Sequence, residues 1–493
     1  MTPRLRRLLA LFLGGSNLFV LQFLATRNLA EILFGTETVL FLVVLSYFLG
    51  LSLGYRVSNR LGPRTFRALL WAQWAFHLTL PYSLRWLAGW LRFNDAAGWA
   101  VVGPLFFGGF LASTLYSVVL PRLLAETGTD ERDFSRSYAL ELSGGAFGML
   151  ATVLVGTISP PALAGLYQAS LAALVLLVNP GRFAAAVIVP IASAALVFAP
   201  ALDAQSVAYN FRAGHGYDVS KVVFSADTPY QRVSIIEEED GTRHLFLDGI
   251  RHYGSDSLTE FNYLISGFPA SQLDKPRTVV VGSGSFEAAY RALARGGLVT
   301  SVEIDPVVAQ AGLHLLSKPL PTEPALRWDI VADDAKHYIA HMQERPDLVV
   351  LDVAGPFQRQ VTLLYTKEFL TILKGKLAPG GLLSLPLNGD LDGDSRAACR
   401  IARTLLEVFP DVYVLTRPKG DSSFAIASAG RPGWKPRLAA ELFNNKRGDI
   451  KVYERSQVED KTDRPGCRAI RLDSLDIVWD RGWTRLRDKI WDR

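Results

Sequence analysis

Glycines and a carboxylate at the ends of two apolar runs carry the clearest chemical signal in this sequence. The run Val279–Val281 leads into Gly282 and Gly284, and the next apolar run ends at Glu303, about 20 residues further on. Glycines behind a strand allow backbone N–H groups to approach a ligand closely, and a carboxylate that closes the second strand accepts hydrogen bonds from two ribose hydroxyls. The pattern predicts a nucleoside site rather than an ordinary turn between a strand and a helix.

Apolar strands that alternate with helical stretches would position these residues. Such alternation predicts a doubly wound parallel sheet covered by helices on both faces. Ligands of such sheets bind beyond the carboxyl ends of the strands, where this sequence also carries Asp334 and Asp352. The predicted strands are Thr278–Val281, Val299–Ile304, Arg327–Val331, Leu348–Val353 and Gly381–Leu385.

A smaller β unit precedes this region. Three stretches alternate apolar and polar residues in the manner of strands, namely Lys221–Phe224, Gln231–Glu237 and Arg243–Leu247. With the turn signal Asp240-Gly241 they predict a small antiparallel sheet. Asp248, which follows the third stretch, fits a turn residue and a substrate contact equally well.

The first 200 residues have a different composition, because apolar runs recur throughout them. Each run is close to the ~20 residues that an α-helix needs to cross a lipid bilayer. Together they predict a multi-pass α-helical membrane domain, with the bilayer as a partner. The runs are Leu8–Ala25, Thr38–Tyr55, Ala68–Leu84, Trp99–Leu120, Tyr138–Ile158, Leu163–Val178 and Ala184–Pro200.

Arginine clusters indicate an orientation for these spans. They stand before the first run, after the second and after the fourth, which places the N-terminus in the cytoplasm by the positive-inside rule. Seven crossings would then put the rest of the chain outside, whereas six or eight would keep it inside. The clusters are Arg4, Arg6 and Arg7; Arg56, Arg60, Arg64 and Arg67; and Arg122, Arg132 and Arg136.

The sequence thus divides into five regions. Residues 1–200 form the membrane domain of about seven helices, 201–216 a linker rich in small residues, and 217–255 the β unit. Residues 256–430 form the doubly wound domain, and residues 431–493 form a C-terminal tail.

Several other classes of site are not expected. The net charge of +5 comes without a block of Lys or Arg, so nucleic acid is not an expected partner. Cys399 and Cys467 are far apart in sequence and predict neither a disulfide framework nor a zinc site. His337 and His341 have a spacing that metal ligands can have, but without a third ligand they favour a solvated helix face and no metal.

A series of motifs in residues 217–430 resembles the spermidine synthases, which are polyamine aminopropyltransferases, in the order found in that family. The whole chain resembles the variant of the family in which a multi-pass membrane region is fused to the N-terminus. The motifs are Thr228-Pro-Tyr-Gln231, Leu247-Asp-Gly249, Val281-Gly-Ser-Gly284, Glu303-Ile-Asp-Pro306, Asp334-Ala335, Leu348–Asp352, Leu364-Tyr-Thr-Lys-Glu-Phe369 and Leu377-Ala-Pro-Gly-Gly-Leu382.

The resemblance implies a fold and an activity. The fold is a Rossmann-like, methyltransferase-type domain behind an N-terminal β unit, assembled as a homodimer or homotetramer through the synthase domain. The activity moves an aminopropyl group from decarboxylated S-adenosylmethionine, a co-substrate rather than a bound cofactor, to putrescine, giving spermidine and 5′-methylthioadenosine. In addition to the glycine loop, Glu303 would hold the ribose diol, Asp334 and Ala335 would meet the adenine edge, and Gln231 would line the site.

The chain departs from the family on the side of the amine. The second aspartate of the family's Asp-x-x-Asp-Pro loop, which accepts a proton, is Gly355 here, and glycine cannot accept a proton. Asp352, the first residue of that loop, remains as the catalytic candidate, with substrate contact favoured over a loop cap. The family's Tyr-His-Glu triplet falls on Glu260-Phe261-Asn262, and the aspartate of its glycine loop falls on Ser285. The vacated amine-binding roles would pass to Asp256, Glu260 and Glu287.

Two other functions fit the same residues. One is another S-adenosyl-dependent transferase, such as a methyltransferase acting on a membrane amine or a lipid. The other is a transporter or sensor that binds nucleoside or polyamine without turnover. The expected location is the cell (inner) membrane. A cytosolic supply of the donor favours the cytoplasmic side for the soluble half, while the number of spans leaves that side open.

Overall fold

The computed structural model describes residues 2–58, 60–94, 98–118, 121–122, 131–156, 158–179, 181–254, 259–282, 284–316, 327–416, 423–430, 435–437 and 450–491. The chain forms two compact units. The first comprises Met1–Gly241, Phe246–Arg251 and Arg485–Arg493, and the second comprises Thr242–Leu245 and His252–Thr484.

The first unit contains a helix at each of the seven predicted apolar runs. Among the described residues, five helical segments are long and apolar enough to cross a membrane by length and composition, namely those within α1, α2, α4, α5 with its extension, and α7. The apolar part of α6, Ala162–Val178, is shorter. The helices are α1 (Pro3–Leu33), α2 (Glu37–Ser58), α3 (Pro63–Phe93), α4 (Gly98–Ser117), α5 (Glu131–Ala151, extended by the π-turn Thr152–Gly156), α6 (Pro160–Val178) and α7 (Arg182–His215).

Small residues bring two of these helices into backbone contact. A Cβ atom at Gly144 would lie 2.0 Å from the carbonyl oxygen of Phe12, and one at Gly148 would lie 2.2 Å from that of Ser16. On the other helix, a Cβ atom at Gly15 would lie 2.0 Å from the carbonyl oxygen of Glu141. Helices α1 and α5 therefore pack through a glycine stripe, as small-residue interfaces do in membranes.

The predicted linker 201–216 is wrong, because this segment is helical. Helix α7 continues without a break to His215 and ends at Gly216, whose φ of +74° is left-handed. The small residues that suggested a linker are mostly alanines, which favour a helix more than any other residue. The glycine that ends it supplies the left-handed residue that commonly terminates helices.

A four-stranded sheet follows, in the order β1-β2-β3-β4. Strands β1 and β2 are antiparallel, as predicted, whereas β4 was not predicted from the sequence. Asp248 and Gly249 join β3 to β4 with φ values of +46° and +74°, which is typical of a two-residue hairpin turn. The strands are β1 (Val219–Asp227), β2 (Arg232–Glu238), β3 (Arg243–Leu247) and β4 (Ile250–Gly254).

The second unit is built on an eight-stranded sheet in the order β12-β10-β11-β9-β8-β5-β6-β7. The pairs among β7, β6, β5, β8 and β9 are parallel, which confirms the predicted parallel sheet and gives the 3-2-1-4-5 strand order of dinucleotide-binding folds. Val279 and Val281 enter one buried cluster and Val280 another, so both faces are covered. The strands are β5 (Arg277–Gly282), β6 (Leu298–Glu303), β7 (Arg327–Ala332), β8 (Leu348–Asp352), β9 (Leu382–Pro386), β10 (Asp411–Thr416), β11 (Phe424–Ser428) and β12 (Lys451–Tyr453).

Short helices connect and cover these strands. A π-turn, Tyr263–Gly267, links the helix Thr259–Asn262 to the helix Phe268–Ser271. A 3₁₀ turn, Leu363–Tyr365, follows the helix Arg359–Thr362. The helices are α8 (Thr259–Asn262), α9 (Phe268–Ser271), α10 (Glu287–Leu293), α11 (Pro306–Ala311), α12 (Ala335–His341), α13 (Arg359–Thr362), α14 (Lys367–Lys376), α15 (Arg396–Val408), α16 (Arg455–Thr462) and α17 (Ile477–Trp491).

Residues 450–484 of the predicted C-terminal tail form part of the second unit. Strand β12 pairs with β10, and Val458, Ile470 and Ile477 are buried in the same cluster as the sheet. Cys399 of α15 and Cys467 form a disulfide, with their Cα atoms 5.6 Å apart. The sequence did not predict this disulfide, because the two cysteines are far apart in the chain and come together only where α16 packs against α15.

Candidate active site

The candidate site lies at the carboxyl ends of the parallel strands, where the strand order reverses. Gly282 at the end of β5 pairs with Asp352 at the end of β8, and Glu303 ends β6 beside Ala332 of β7. Strands β5 and β8 lead to opposite sides of the sheet, and this switch point is where ligands bind in open α/β folds. The structure therefore brings the predicted glycine turn and two predicted carboxylates to one edge.

The glycines of the loop after β5 are required by close backbone contacts. Gly282 has a φ of +82°, and a Cβ atom there would lie 2.3 Å from the carbonyl oxygen of Asp352. A Cβ atom at Gly284 would lie 2.6 Å from Cγ1 of Val308 in α11. An ordinary side chain at either position would push the loop away from β8 and α11, so both positions require glycine.

Glu303 is buried at the end of β6. Burial, together with the charges of Asp305 and Asp352, raises the pKa of its carboxyl group to about 7, although hydrogen bonds from the backbone N–H groups of Asp305 and Ile304 act in the opposite direction. One of these bonds, from the N–H of Asp305 to Oε1, is 3.1 Å long. A buried carboxylate of this kind is suited to accept hydrogen bonds from ligand hydroxyls.

Asp334 and Ala335 lie where β7 leads into α12. Oδ1 of Asp334 accepts a hydrogen bond of 2.8 Å from the N–H of Lys336 and so caps the helix, while Ala335 is buried. The neighbouring Asp333 accepts a hydrogen bond of 2.8 Å from Nδ1 of His337, which lowers the pKa of that aspartate. Contact of Asp334 and Ala335 with an adenine edge stays a prediction.

The loop after β8 shows what surrounds the missing aspartate. A Cβ atom at Gly355 would lie 3.1 Å from Oδ1 of Asn388, so this amide stands beside the vacated position. Nδ2 of Asn388 donates a hydrogen bond of 2.9 Å to the hydroxyl of Tyr365, which donates one of 3.0 Å to the carbonyl of Ala354. The loop is thus held by a tyrosine and an asparagine.

Sequence reasoning did not identify this pair of residues. Tyr365 lies inside Leu364-Tyr-Thr-Lys-Glu-Phe369, one of the motifs that resemble the spermidine synthases, and this motif could have indicated a role for the tyrosine. Asn388 lies in no quoted motif and adopts a left-handed φ of +55° just after β9. Only the fold shows that it reaches the loop after β8.

The proposed substitutes on the amine side have different surroundings. Glu287 is buried, and its Oε1 lies 2.8 Å from a guanidinium nitrogen of Arg291 one helical turn later, so its charge is already paired. Glu260 lies in α8 and is partly exposed. Asp256 lies outside the described residues. Their amine-binding roles stay predictions.

Two predicted residues belong to the first unit. Gln231 lies in the turn between β1 and β2, where its carbonyl oxygen accepts a hydrogen bond of 2.9 Å from the N–H of Thr228. The carboxylate of Asp248 accepts a hydrogen bond of 2.8 Å from the backbone N–H of Arg232, and burial raises its pKa to about 6. Of the two interpretations of Asp248, this geometry favours the turn residue.

Comparison with known proteins gives consistent relatives. No protein-family model matches the chain. It is 26% identical over 238 residues to the polyamine aminopropyltransferase of Thermoplasma volcanium, covering 46% of this chain and 86% of that protein. It is 25% identical over 206 residues to polyamine aminopropyltransferase 2 of Pseudomonas aeruginosa, covering 40% and 58%. With spermidine synthase 2 of Arabidopsis thaliana it shares 23% identity over 248 residues, covering 48% and 73%.

Solved structures give neighbours of the same kind. A spermidine synthase in complex with the transition state analogue AdoDATO is 22% identical, with a TM-score of 0.41, and the match covers 50% of this chain and 86% of that one. The spermidine synthase of Thermotoga maritima is 20% identical, with a TM-score of 0.39 and coverage of 50% and 85%. By its sequence relatives, about half of this chain is similar to polyamine aminopropyltransferases, the family that its motifs resemble.

Proposed function

We propose that the protein is a membrane-anchored aminopropyltransferase of the spermidine synthase type. It would transfer an aminopropyl group from decarboxylated S-adenosylmethionine to putrescine, giving spermidine and 5′-methylthioadenosine. The observation that carries this proposal is the buried carboxyl group of Glu303 beside the glycine loop, at the switch point of the sheet. The sequence relatives support it, because they carry this activity in their names.

The reaction is a direct displacement. The neutral amine nitrogen attacks the carbon beside the sulfonium, a C–N bond forms, the C–S bond breaks, and the sulfur leaves as the neutral thioether of methylthioadenosine. The attacking nitrogen then loses a proton. The protein supplies alignment of the two reactants and a group that accepts the proton.

The proposed residue roles follow the strand ends. Glu303 holds the ribose diol, Asp334 and Ala335 meet the adenine edge, and Gln231 lines the donor site. Asp352 accepts the proton, since Gly355 cannot. The amine is held by the carboxylates of Asp256 and Glu260.

The membrane part of the proposal concerns lipid and assembly. The five long apolar helices anchor the chain in the inner membrane, and the synthase domain forms a homodimer or homotetramer. Supply of the donor from the cytosol favours the cytoplasmic side for the soluble half, whereas an odd number of crossings from a cytoplasmic N-terminus favours the other side. A tag at residue 493, probed in intact cells before and after permeabilisation, decides between them.

One incubation tests the activity and separates it from the alternatives. Full-length protein in detergent, given decarboxylated S-adenosylmethionine and putrescine, should release methylthioadenosine, and the Glu303→Ala variant should not. Formation of S-adenosylhomocysteine from S-adenosylmethionine would indicate a methyltransferase instead. Saturable nucleoside binding with neither product would indicate a sensor or transporter.

A further inference from the structure

A network of buried charges lies within the first unit and joins its helices to its β strands. Arginine and carboxylate side chains form ion pairs there, and Arg85, Arg232 and Glu31 are each less than a tenth exposed. The members among the described residues are Arg27, Glu31, Arg85, Asp203, Asp227, Arg232 and Asp248.

Arg85 of α3 ties three helices together. Its Nε and one terminal nitrogen donate hydrogen bonds of 3.0 Å and 2.6 Å to Oε2 of Glu31 in α1. Its other terminal nitrogen donates one of 2.8 Å to Oδ1 of Asp203 in α7 and one of 3.1 Å to the hydroxyl of Ser206. The guanidinium group of Arg85 therefore forms hydrogen bonds with α1 on one side and with α7 on the other.

Asp203 connects the helices to the four-stranded sheet. Its second oxygen, Oδ2, accepts a hydrogen bond of 2.5 Å from Arg232 at the start of β2. Arg232 also donates one of 3.0 Å to Asp227 at the end of β1, and its Nε lies 3.7 Å from Oε1 of Glu31. Burial acts to lower the pKa of Arg232, but the neighbouring carboxylates outweigh it and raise this pKa above its ordinary value, so Arg232 stays charged.

Two further contacts fix the same strands to α1. A terminal nitrogen of Arg27 donates a hydrogen bond to the carbonyl of Thr228, in the turn that carries Gln231. A Cβ atom at Gly249 would lie 2.0 Å from the carbonyl oxygen of Glu31, so the hairpin turn touches the backbone of α1. Both family motifs of the β unit, Thr228–Gln231 and Leu247–Gly249, therefore rest on the helix end.

This arrangement exceeds what an anchor requires. An ion withdrawn from water loses its hydration, and only several well-placed partners offset that loss. A linker would suffice to tether an independent domain, whereas here Gln231 stands between two residues, Thr228 and Arg232, that the helices hold directly.

We infer that Glu31, Arg85 and Asp203 are positioning residues, through which the helical unit sets the conformation of the turn that carries Gln231. The inference rests on the proposed function for its effect on catalysis, because Gln231 is proposed to line the donor site. The helices then contribute to donor binding in addition to anchoring the chain in the membrane.

The first test measures the turn itself and needs no activity. Hydrogen exchange of the full-length protein in detergent, followed by mass spectrometry, should show amides of residues 228–235 exchanging at least about tenfold faster in Glu31→Gln than in wild type. Glu239→Gln, the same substitution on an exposed residue of the β2–β3 connection, should leave this rate unchanged. Unchanged exchange in a folded Glu31→Gln variant overturns the inference.

The second test measures catalysis. Glu31→Gln should raise KM for the donor by about tenfold with kcat nearly unchanged, because a misplaced Gln231 weakens ground-state and transition-state binding alike. Glu31→Asp, which keeps the charge, should recover part of the loss. A variant that unfolds would lose kcat and binding together, so the split between KM and kcat separates positioning from simple instability.

A milder variant protects the test against misfolding. Ser206→Ala removes one hydrogen bond to Arg85 and no charge, and it should raise the donor KM by roughly two- to threefold. If Glu31→Gln does not accumulate, an unchanged donor KM in Ser206→Ala overturns the inference. Wild-type protein that forms no methylthioadenosine defeats the proposed function alone, since the exchange experiment still decides the role of the network.

Discussion

The proposed nucleoside side and the proposed amine side of the candidate site differ in how tightly the fold constrains them. On the nucleoside side, Gly282 and Gly284 are fixed by contacts with neighbouring backbone and side chains, and Glu303 is buried between hydrogen-bonded neighbours. On the amine side, the loop after β8 has Gly355 where the family has a proton acceptor, and the closest neighbour of that position is the tip of the Asn388 side chain.

This difference shows which features a fold protects and which it does not. Replacing Gly282 would displace the main chain of β8, so packing alone preserves that glycine. Position 355 is bordered by a side chain that can move, so a carboxylate there can be gained or lost without disturbing the sheet. Resemblance in the glycine loop is therefore weaker evidence for turnover than a carboxylate in the loop after β8 would be.

The largest expected effect comes from the tightest contact. Gly282→Ala should lower the free energy of unfolding by about 3 kcal/mol, because the added Cβ meets a backbone oxygen and φ is left-handed. Thermal unfolding of the full-length protein measures this. Gly375→Ala, in the last turn of α14 where a Cβ atom meets nothing within 4 Å, should be neutral or slightly stabilising. Equal destabilisation by both substitutions would show that the contact between Gly282 and the main chain of β8 does not constrain this glycine.

Glu303→Gln should weaken binding of methylthioadenosine roughly 10- to 100-fold, since hydrogen bonds to a charged acceptor contribute about 1.5–3 kcal/mol. Calorimetric titration of wild type and variant measures the change. The variant should unfold at a temperature no lower than that of wild type, because it removes a buried carboxyl group whose ionisation costs stability. An affinity that does not change would show that the ribose is held elsewhere.

The same carboxyl group predicts a pH dependence. Its pKa of about 7 in the folded protein means that nucleoside affinity should rise as pH increases through 7, because the ionised form is the better acceptor. Without ligand, stability should fall over the interval from its unfolded value of 4.5 to about 7, since the unfolded chain releases this proton first. Glu303→Gln should abolish both trends, and a binding profile that is flat in wild type would contradict the assignment.

Gly355→Asp tests the amine side directly. If Asp352 alone is a poor proton acceptor, the added carboxylate should raise kcat by about tenfold or more, as general bases do. Gly355→Asn has the same size without the charge and should leave kcat unchanged. A gain from both variants would point to loop packing, and a gain from neither would show that the proton leaves by another route.

The smallest effect is expected at the tyrosine that braces this loop. Tyr365→Phe removes the hydrogen bonds to Ala354 and Asn388 and should lower the free energy of unfolding by about 1–2 kcal/mol. Nucleoside affinity should stay at the wild-type value, because the loop after β8 is proposed to serve the amine. Loss of nucleoside binding in this variant would show that the loop after β8 also contributes to nucleoside binding.

The sequence alone predicted those parts of the fold that depend on residues close together in the chain. The parallel strands, the glycine turn and the strand-end carboxylates Glu303 and Asp352 follow from apolar runs and what terminates them. The contacts made by Arg232, Asn388 and Cys467 could not be predicted, because each joins segments that are distant in sequence. The helical segment 201–215 was missed for another reason, since alanines and one glycine suit a linker as well as a helix until tertiary contacts decide.

The bond between Cys399 and Cys467 spans 68 positions and turns that stretch of chain into a covalent ring that contains β10, β11 and β12. A protease that cuts once inside the ring cannot release either fragment. The nicked protein should run as one band on a denaturing gel until a reductant is added, and then as two. The three strands at one end of the large sheet would thus stay attached after a cut that separates the ends of an open chain.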